Sequence, residues 1–294
     1  MNDQLAASYA HCQRIARRSG SSFYYSFLLL PKNKRLAMCA LYAFLRRTDD
    51  LVDSDEPLAE QQAALAKWRV SLADALAGRY DDPLLPALAD VVQSHELPLE
   101  YLTAAIDGAA MDLAGTHYQT FAQLEQYCER VASMVGLACL RIWGCRAPEA
   151  EGPARRCGIA FQLTNILRDL GEDAARGRIY LPREDLERFG YRPEDLRSNV
   201  RDERFRRLMQ FEIERNERLY EEGTALAQWL APRERRVFAS MTAVYRALLA
   251  EIKRRDGDVL SARVRLSNWR KMRIATRCFL LGPRLVPAGG VVAP

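Results

Sequence analysis

Apolar residues along the chain recur at three- and four-residue intervals, and the strict alternation of a half-buried strand is scarce. This pattern predicts helices over about 3–18, 32–53, 57–79, 83–95, 99–114, 119–144, 150–173, 200–229, 232–254 and 261–280. The expected punctuation accompanies them. Pro31 precedes the second helix, Pro57 opens the third and Pro98 stands just before the fifth. Gly177 and Pro182 bracket a loop after the 150–173 helix. No repeat, low-complexity linker or break in composition divides the chain. It reads as one all-α domain over residues 1–281, followed by a tail at 282–294 rich in Pro, Gly and Val that is expected to fray.

Two of these helices carry polar rows. In the first, Arg46, Asp49, Asp50 and Asp53 stand at i, i+3, i+4 and i+7, with Tyr42 one turn earlier, so a helix puts them on one face. Carboxylates stacked this closely repel unless water or cations screen them. Hard oxygen donors of this kind suit Mg²⁺, which keeps several waters and takes phosphate oxygens as further ligands. The same spacing also describes a solvated acidic patch with Arg46 paired to Asp49. In the second helix, Gln162, Asn165, Asp169 and Asp173 fall within about 60° of one another, beside an apolar stripe of Leu163, Ile166, Leu167 and Leu170. A row that mixes amides with carboxylates is not the usual solubilising choice, which is Lys and Glu. Arg168 lies about 100° off the row, within reach of a phosphate or of a neighbouring carboxylate. Downstream, Arg176, Arg178 and Tyr180 cluster near the helix exit, and Arg is the preferred bidentate partner of phosphate. Opposed across a cavity, the two rows would grip several divalent cations and a diphosphate.

Composition narrows the field. A chain of 294 residues has ample material for a buried core, and 49% of it is hydrophobic. Basic residues exceed acidic ones by five, which suits an anionic substrate or membrane surface. That excess is too small to argue for nucleic acid, and no zinc-finger spacing or RNA-binding aromatic signature accompanies it. The seven cysteines are odd in number and form no Cys-x-x-Cys, which points to a reducing cytoplasmic compartment. His11, His95 and His117 are too dispersed for a histidine metal site. Residues 1–20 are polar and basic and lack an apolar leader core. No window reaches the roughly 18 apolar residues of a spanning helix, so any membrane contact is expected to be peripheral.

With these motifs in place, the chain resembles the squalene/phytoene synthase family, whose members join two prenyl diphosphates head to head. The likeness runs from Ser19 to about Arg270. It rests on the block from Ser21 to Pro31, on Ala40–Phe44 leading into Arg46–Asp53, on Tyr127–Gly136 and on Gln162–Pro182. The resemblance implies an all-α isoprenoid synthase fold around a central cavity, with Mg²⁺ held by Asp49 and Asp53 on one wall and by Asn165, Asp169 and Asp173 on the other. It implies that Ser21, Ser22, Arg46 and Arg168 hold diphosphate, and that Tyr127 sits near the reacting carbons with Gln162 beside it. Phe23, Phe27, Tyr42, Val135, Gly136 and Leu163 are expected to line the apolar pocket for the prenyl tails, and Arg178 and Tyr180 to close over the diphosphate.

The implied reaction is condensation of two farnesyl diphosphates through presqualene diphosphate toward squalene, with NADPH as a candidate reductant. Phytoene or dehydrosqualene synthesis without reduction is the alternative. The absence of a Gly-rich dinucleotide fingerprint does not bear on NADPH here. Chain-elongating prenyltransferases and terpene cyclases also use acid-rich helices, but the elongating enzymes carry two D-D-x-x-D motifs and this chain has one. A non-catalytic helical scaffold is a further reading, although neither acidic row has lost a ligand. Expected partners are prenyl diphosphates, a membrane surface and downstream isoprenoid enzymes.

Overall fold

Prolines set where many of the helices begin. The computed structural model describes residues 3–19 and 22–281. Pro31, Pro57, Pro98 and Pro182, with φ near −55°, stand immediately before helices that start at Lys32, Leu58, Leu99 and Arg183. The first half of the chain forms α1 (Asp3–Arg18), α2 (Ser22–Phe27), α3 (Lys32–Val52), α4 (Leu58–Leu76), α5 (Leu85–Ser94), α6 (Leu99–Leu113), α7 (Phe121–Cys128) and α8 (Met134–Trp143). It continues with α9 (Glu151–Ala175), α10 (Arg183–Arg188), α11 (Pro193–Arg197), α12 (Glu203–Thr224), α13 (Pro232–Arg254) and α14 (Asn268–Leu281). No strand occurs among the described residues, and no helix there is long and apolar enough to cross a membrane.

Periodicity located the long helices and missed three short ones, α2, α10 and α11, which are too brief to show a repeat. It also ran two segments together and started a third too early. Residues 119–144 form α7 and α8 joined through a π-helical turn, Glu129–Ser133. Residues 200–229 end in a 3₁₀ turn at Ala225–Trp229. The last helix begins at Asn268 rather than 261, because residues 261–267 are bends and irregular chain.

Two apolar clusters fill the interior. One packs α1, α3, α4, α5, α6 and α8 around Phe44, Leu41, Leu72 and Leu102. The other joins α7, α9, α12 and α13 around Tyr220, Phe205, Leu167 and Ile252. A buried polar relay fastens the second: Asn216 donates to Thr164 Oγ1 at 2.9 Å, and the Thr164 and Tyr220 hydroxyls bond at 2.7 Å. In the first, Trp68 donates to Thr48 Oγ1 at 3.0 Å, which pins α4 to the turn of α3 that carries Asp49. Where α9 meets the π turn the backbones nearly touch. A Cβ on Gly158 would stand 2.6 Å from Ser133 Cα, so only glycine allows this approach. The π turn thus presses against α9, and a cavity is left between the two clusters.

Candidate active site

The cavity has a volume of about 480 Å³ and is lined from α2, α3, α6, α7, the π turn, α8, α9 and α13. One end is polar, the other apolar. Asp49 and Asp53 come from the last turn of α3 and from its cap, and Asp169 and Asp173 from the last turns of α9. Met38 on α3 lies three turns before Asp49, about 16 Å along the axis, and on α9 Cys157 and Ala154 lie about three and four turns before Asp169, roughly 18 and 22 Å. Phe27, Cys139, Trp143, Leu226, Phe238 and Met241 complete the apolar end.

The two acidic rows face each other. Arg178, from the turn after α9, donates to Asp53 Oδ1 at 3.0 Å and to the Val52 carbonyl at 3.2 Å, and so ties the exit of α9 to the end of α3. A third carboxylate, Asp112 of α6, acts electrostatically on both Asp49 and Asp173, which places all three in one region. Their charges are unevenly answered. Asp53 is paired with Arg178 and Arg176. Asp169 is gripped by Arg168 on its own helix and by Arg263 from the segment before α14, at 2.9 Å. Asp49 and Asp173 form no ion pair among the described residues. Enclosure by protein, then the nearby Asp53 charge, pushes Asp49 up to about 7, even though its carboxyl is accessible through the cavity. Burial and then Asp169 push Asp173 up to about 7.

This is the signature of a site short of positive charge. The buried Asn165 Oδ1 has no hydrogen-bond partner, although its Nδ2 donates to Gln162 at 3.3 Å. An orphaned amide oxygen in a cavity lining that also holds two unpaired carboxylates fits a divalent cation. Among the described residues no three His, Cys, Asp or Glu side chains converge closely enough to hold an ion alone. A cation here would therefore draw further oxygen donors from water or an anionic ligand.

Aromatic faces stand between the polar and apolar ends. Tyr127 and Tyr180 stack at 5.3 Å between centroids, with Tyr118 against both. Tyr127 donates to Asp112 Oδ2 at 3.1 Å and Tyr180 to Asp112 Oδ1 at 2.8 Å. Burial, and next the Asp112 charge, hold both phenols well above their ordinary range, so they remain protonated. Across the cavity, Phe161 stacks on Tyr245 at 4.5 Å and Phe23 on Tyr245 at 5.3 Å.

Most expected residues line this cavity: Phe23, Phe27, Tyr42, Arg46, Asp49, Asp53, Tyr127, Val135, Gly136, Gln162, Asn165, Arg168, Asp169, Asp173, Arg178 and Tyr180. Two corrections apply. Leu163 is fully buried in the cluster shared with α12, because one step of about 100° from Gln162 turns it away from the cavity. Asp50 is not on the cavity wall; it faces outward and takes Arg46 at 2.6 Å, so the pair is Arg46 with Asp50 and not with Asp49. Arg168 uses its fork on Asp169. Ser21 lies outside the described residues, and Ser22 is described only as the first residue of α2.

Sequence reasoning missed Asp112, Phe161, Tyr245 and Arg263. One signal was available for Asp112. It shares a face with Ala105 and Ala109 at i+7 and i+3, and a carboxylate on an otherwise small and apolar stripe is out of place on a merely structural helix.

Comparison with known proteins identifies the family and the fold. The family model described as squalene/phytoene synthase matches residues 16–270. A 15-cis-phytoene synthase from Synechococcus elongatus is 37% identical over 281 residues, covering 91% of each chain. A phytoene synthase from Mycobacterium tuberculosis is 34% identical over 98% of this chain and 95% of its own. Among solved structures, the squalene synthase HpnC from Alicyclobacillus acidocaldarius superposes with a TM-score of 0.81 at 31% identity, over 87% of this chain and 97% of that one. A dehydrosqualene synthase in complex with ligand gives 0.85 at 32% identity, over 93% and 95%.

Proposed function

The chain belongs to the squalene/phytoene synthase family of prenyltransferases, and from that membership we propose that it condenses two geranylgeranyl diphosphates head to head into phytoene without an external reductant. One observation carries the reaction class: paired carboxylates and arginines from α3 and α9 meet at the polar mouth of an apolar cavity. The curated relatives named above, phytoene synthases at 34–37% identity, support the twenty-carbon substrate.

Asp49 and Asp53 on one wall, with Asn165, Asp169 and Asp173 on the other, would hold divalent cations, proposed to be Mg²⁺, whose chemistry is Lewis-acid neutralisation of a departing diphosphate. The chain's own groups do the rest. Arg46, Arg168 and Arg178 are placed to bind diphosphate oxygens. Departure of the first diphosphate leaves an allylic cation. The apolar walls exclude the water that would quench it. The faces of Tyr127, Tyr180, Phe161 and Tyr245 stabilise it without offering a nucleophile, since the phenols stay protonated. The double bond of the second substrate then attacks to give a cyclopropylcarbinyl diphosphate and one proton. Loss of its diphosphate opens the ring, and loss of a second proton completes the triene core.

A second reading has its own support. The two solved structures named above are a squalene and a dehydrosqualene synthase, which supports a fifteen-carbon substrate. Incubation with geranylgeranyl or farnesyl diphosphate, with and without NADPH, followed by mass spectrometry, separates the two. Phytoene from the longer substrate without NADPH is expected. A thirty-carbon product formed only from farnesyl diphosphate would replace this reading with the second, and no product from either would remove both.

A further inference from the structure

The product proposed above does not dissolve in water, so its exit needs an acceptor. The charge of the chain is unevenly distributed. Residues 259–294 carry seven Lys or Arg and no Asp or Glu; without them the chain would hold two more acidic than basic residues. The basic excess is therefore confined to this stretch, which includes α14.

Helix α14 packs on α13 and on α2. Its inner side borders the site: Lys271 is held below its ordinary range by burial and then by Arg168. Helix α2 contributes Phe23 and Phe27 to the cavity wall, and Leu28, directly after it, is 48% exposed. The outer side of α14 is different in kind. Trp269, Met272, Arg273 and Thr276 stand at i, i+3, i+4 and i+7 and all face solvent. Trp269 is 71% exposed, and Met272 is 47% exposed. Arg273 and Arg277 are exposed and form no ion pair among the described residues. A single exposed apolar side chain needs no explanation. A bare indole and a thioether one turn apart, flanked by unpaired guanidiniums, have the composition of a helix that lies in a lipid interface.

We propose that the outer face of α14 docks on an anionic bilayer, with Trp269 and Met272 at headgroup depth and Arg273 and Arg277 on lipid phosphates. This sets α2 and the apolar cavity beside the phase that dissolves the product. The proposal rests on the preceding reading only for the nature of that product. Charge complementarity would also admit a nucleic acid, but Met272 would gain nothing there.

The test is flotation of the full-length protein, without substrate, on phosphatidylcholine vesicles and on vesicles that also contain phosphatidylglycerol. The protein is expected to float only with the second. The Arg273→Gln/Arg277→Gln variant should lose roughly thirtyfold in partition, at about fivefold per cation, and Trp269→Ser should also weaken it. Turnover of diphosphate substrate in detergent should be unchanged in both. Equal partition on neutral and anionic vesicles, or undiminished flotation of the variants, would overturn the proposal. So would duplex DNA binding that depends on Trp269, or a dimer that Trp269→Ser dissolves, each of which reassigns the face. Because vesicle binding is read without turnover, an inactive protein that still floats would count against the reaction alone.

Discussion

Asp112 accepts a hydrogen bond from the Tyr127 hydroxyl at 3.1 Å, and this bond joins a carboxylate on α6 to the aromatic wall of the cavity. Its other oxygen takes Tyr180 at 2.8 Å, so both carboxylate oxygens are spent on phenols. Desolvation raises Asp112 while the two phenols lower it, and the net is a pKa above the ordinary carboxylate range. Asp112 is thus a positioning residue, which orients two ring faces and adds to the burial that already holds their phenols protonated.

Asp112→Asn is expected to lower kcat by about tenfold to a hundredfold, the cost of losing one charge-assisted hydrogen bond of about 1.5–3 kcal/mol. The amide can accept from one phenol but presents a donor to the other. Circular dichroism should show unchanged helix, and the loss should fall on kcat more than on KM, because both Asp112 oxygens bond phenols and neither bonds an arginine placed for diphosphate. An equal fall in stability and activity would reassign Asp112 to a structural role.

Chelation by EDTA should stop turnover, and Mg²⁺ should restore it. Asp49→Ala and Asp169→Ala should each leave less than about a thousandth of the activity, given the electrostatic burden placed on the departing diphosphate, with helical content retained. Near-full activity of either variant in Mg²⁺ would refute the proposed cation ligands.

The metal-free protein should lose stability as pH rises through neutrality. Asp49 and Asp173 are raised in the fold to about 7, against an unfolded value near 3.8. Raised carboxyls favour the fold most below their unfolded pKa, and that contribution is lost as pH climbs through the folded pKa. Asp49 is accessible through the cavity, so the loss should be discounted to about 1–2 kcal/mol for the pair. Melting scans from pH 5 to 8 should show this slope, Asp49→Asn/Asp173→Asn should flatten it, and added Mg²⁺ should cancel it. A slope unchanged in the double variant would place its origin elsewhere.

Gly158→Ala should destabilise the protein by about 3 kcal/mol, near the upper end of overpacking costs. The new methyl group meets backbone atoms of Ser133 rather than a side chain that can turn aside. Activity should fall with it, because the π turn holds Val131 and Ala132 on the cavity wall. Chemical denaturation and single-point activity together test both effects.

Much of this was readable along the chain because helix geometry is local. The row Gln162, Asn165, Asp169 and Asp173 faces the cavity because 3.6 residues per turn leave it no other common side. The same rule should have removed Leu163, one step away, and resemblance alone kept it in the pocket. The short helices α2, α10 and α11 were not readable, since five or six residues hold too little period to detect.

What the sequence determined by itself was the helical architecture and the two acidic rows, each a property of spacing within its own helix, while the reaction class came only through the family resemblance. What only the tertiary structure decided was the company those rows keep. Asp112 meets Tyr127 and Tyr180, Arg263 reaches Asp169 across 94 positions, and Asp50 turns out to solvent while Asp49 turns in. These outcomes depend on how distant segments pack, where two apolar clusters must close around Gly158 and leave a cavity between them. No interval along the chain encodes that closure, because it is the joint solution of burial and steric fit for the whole domain.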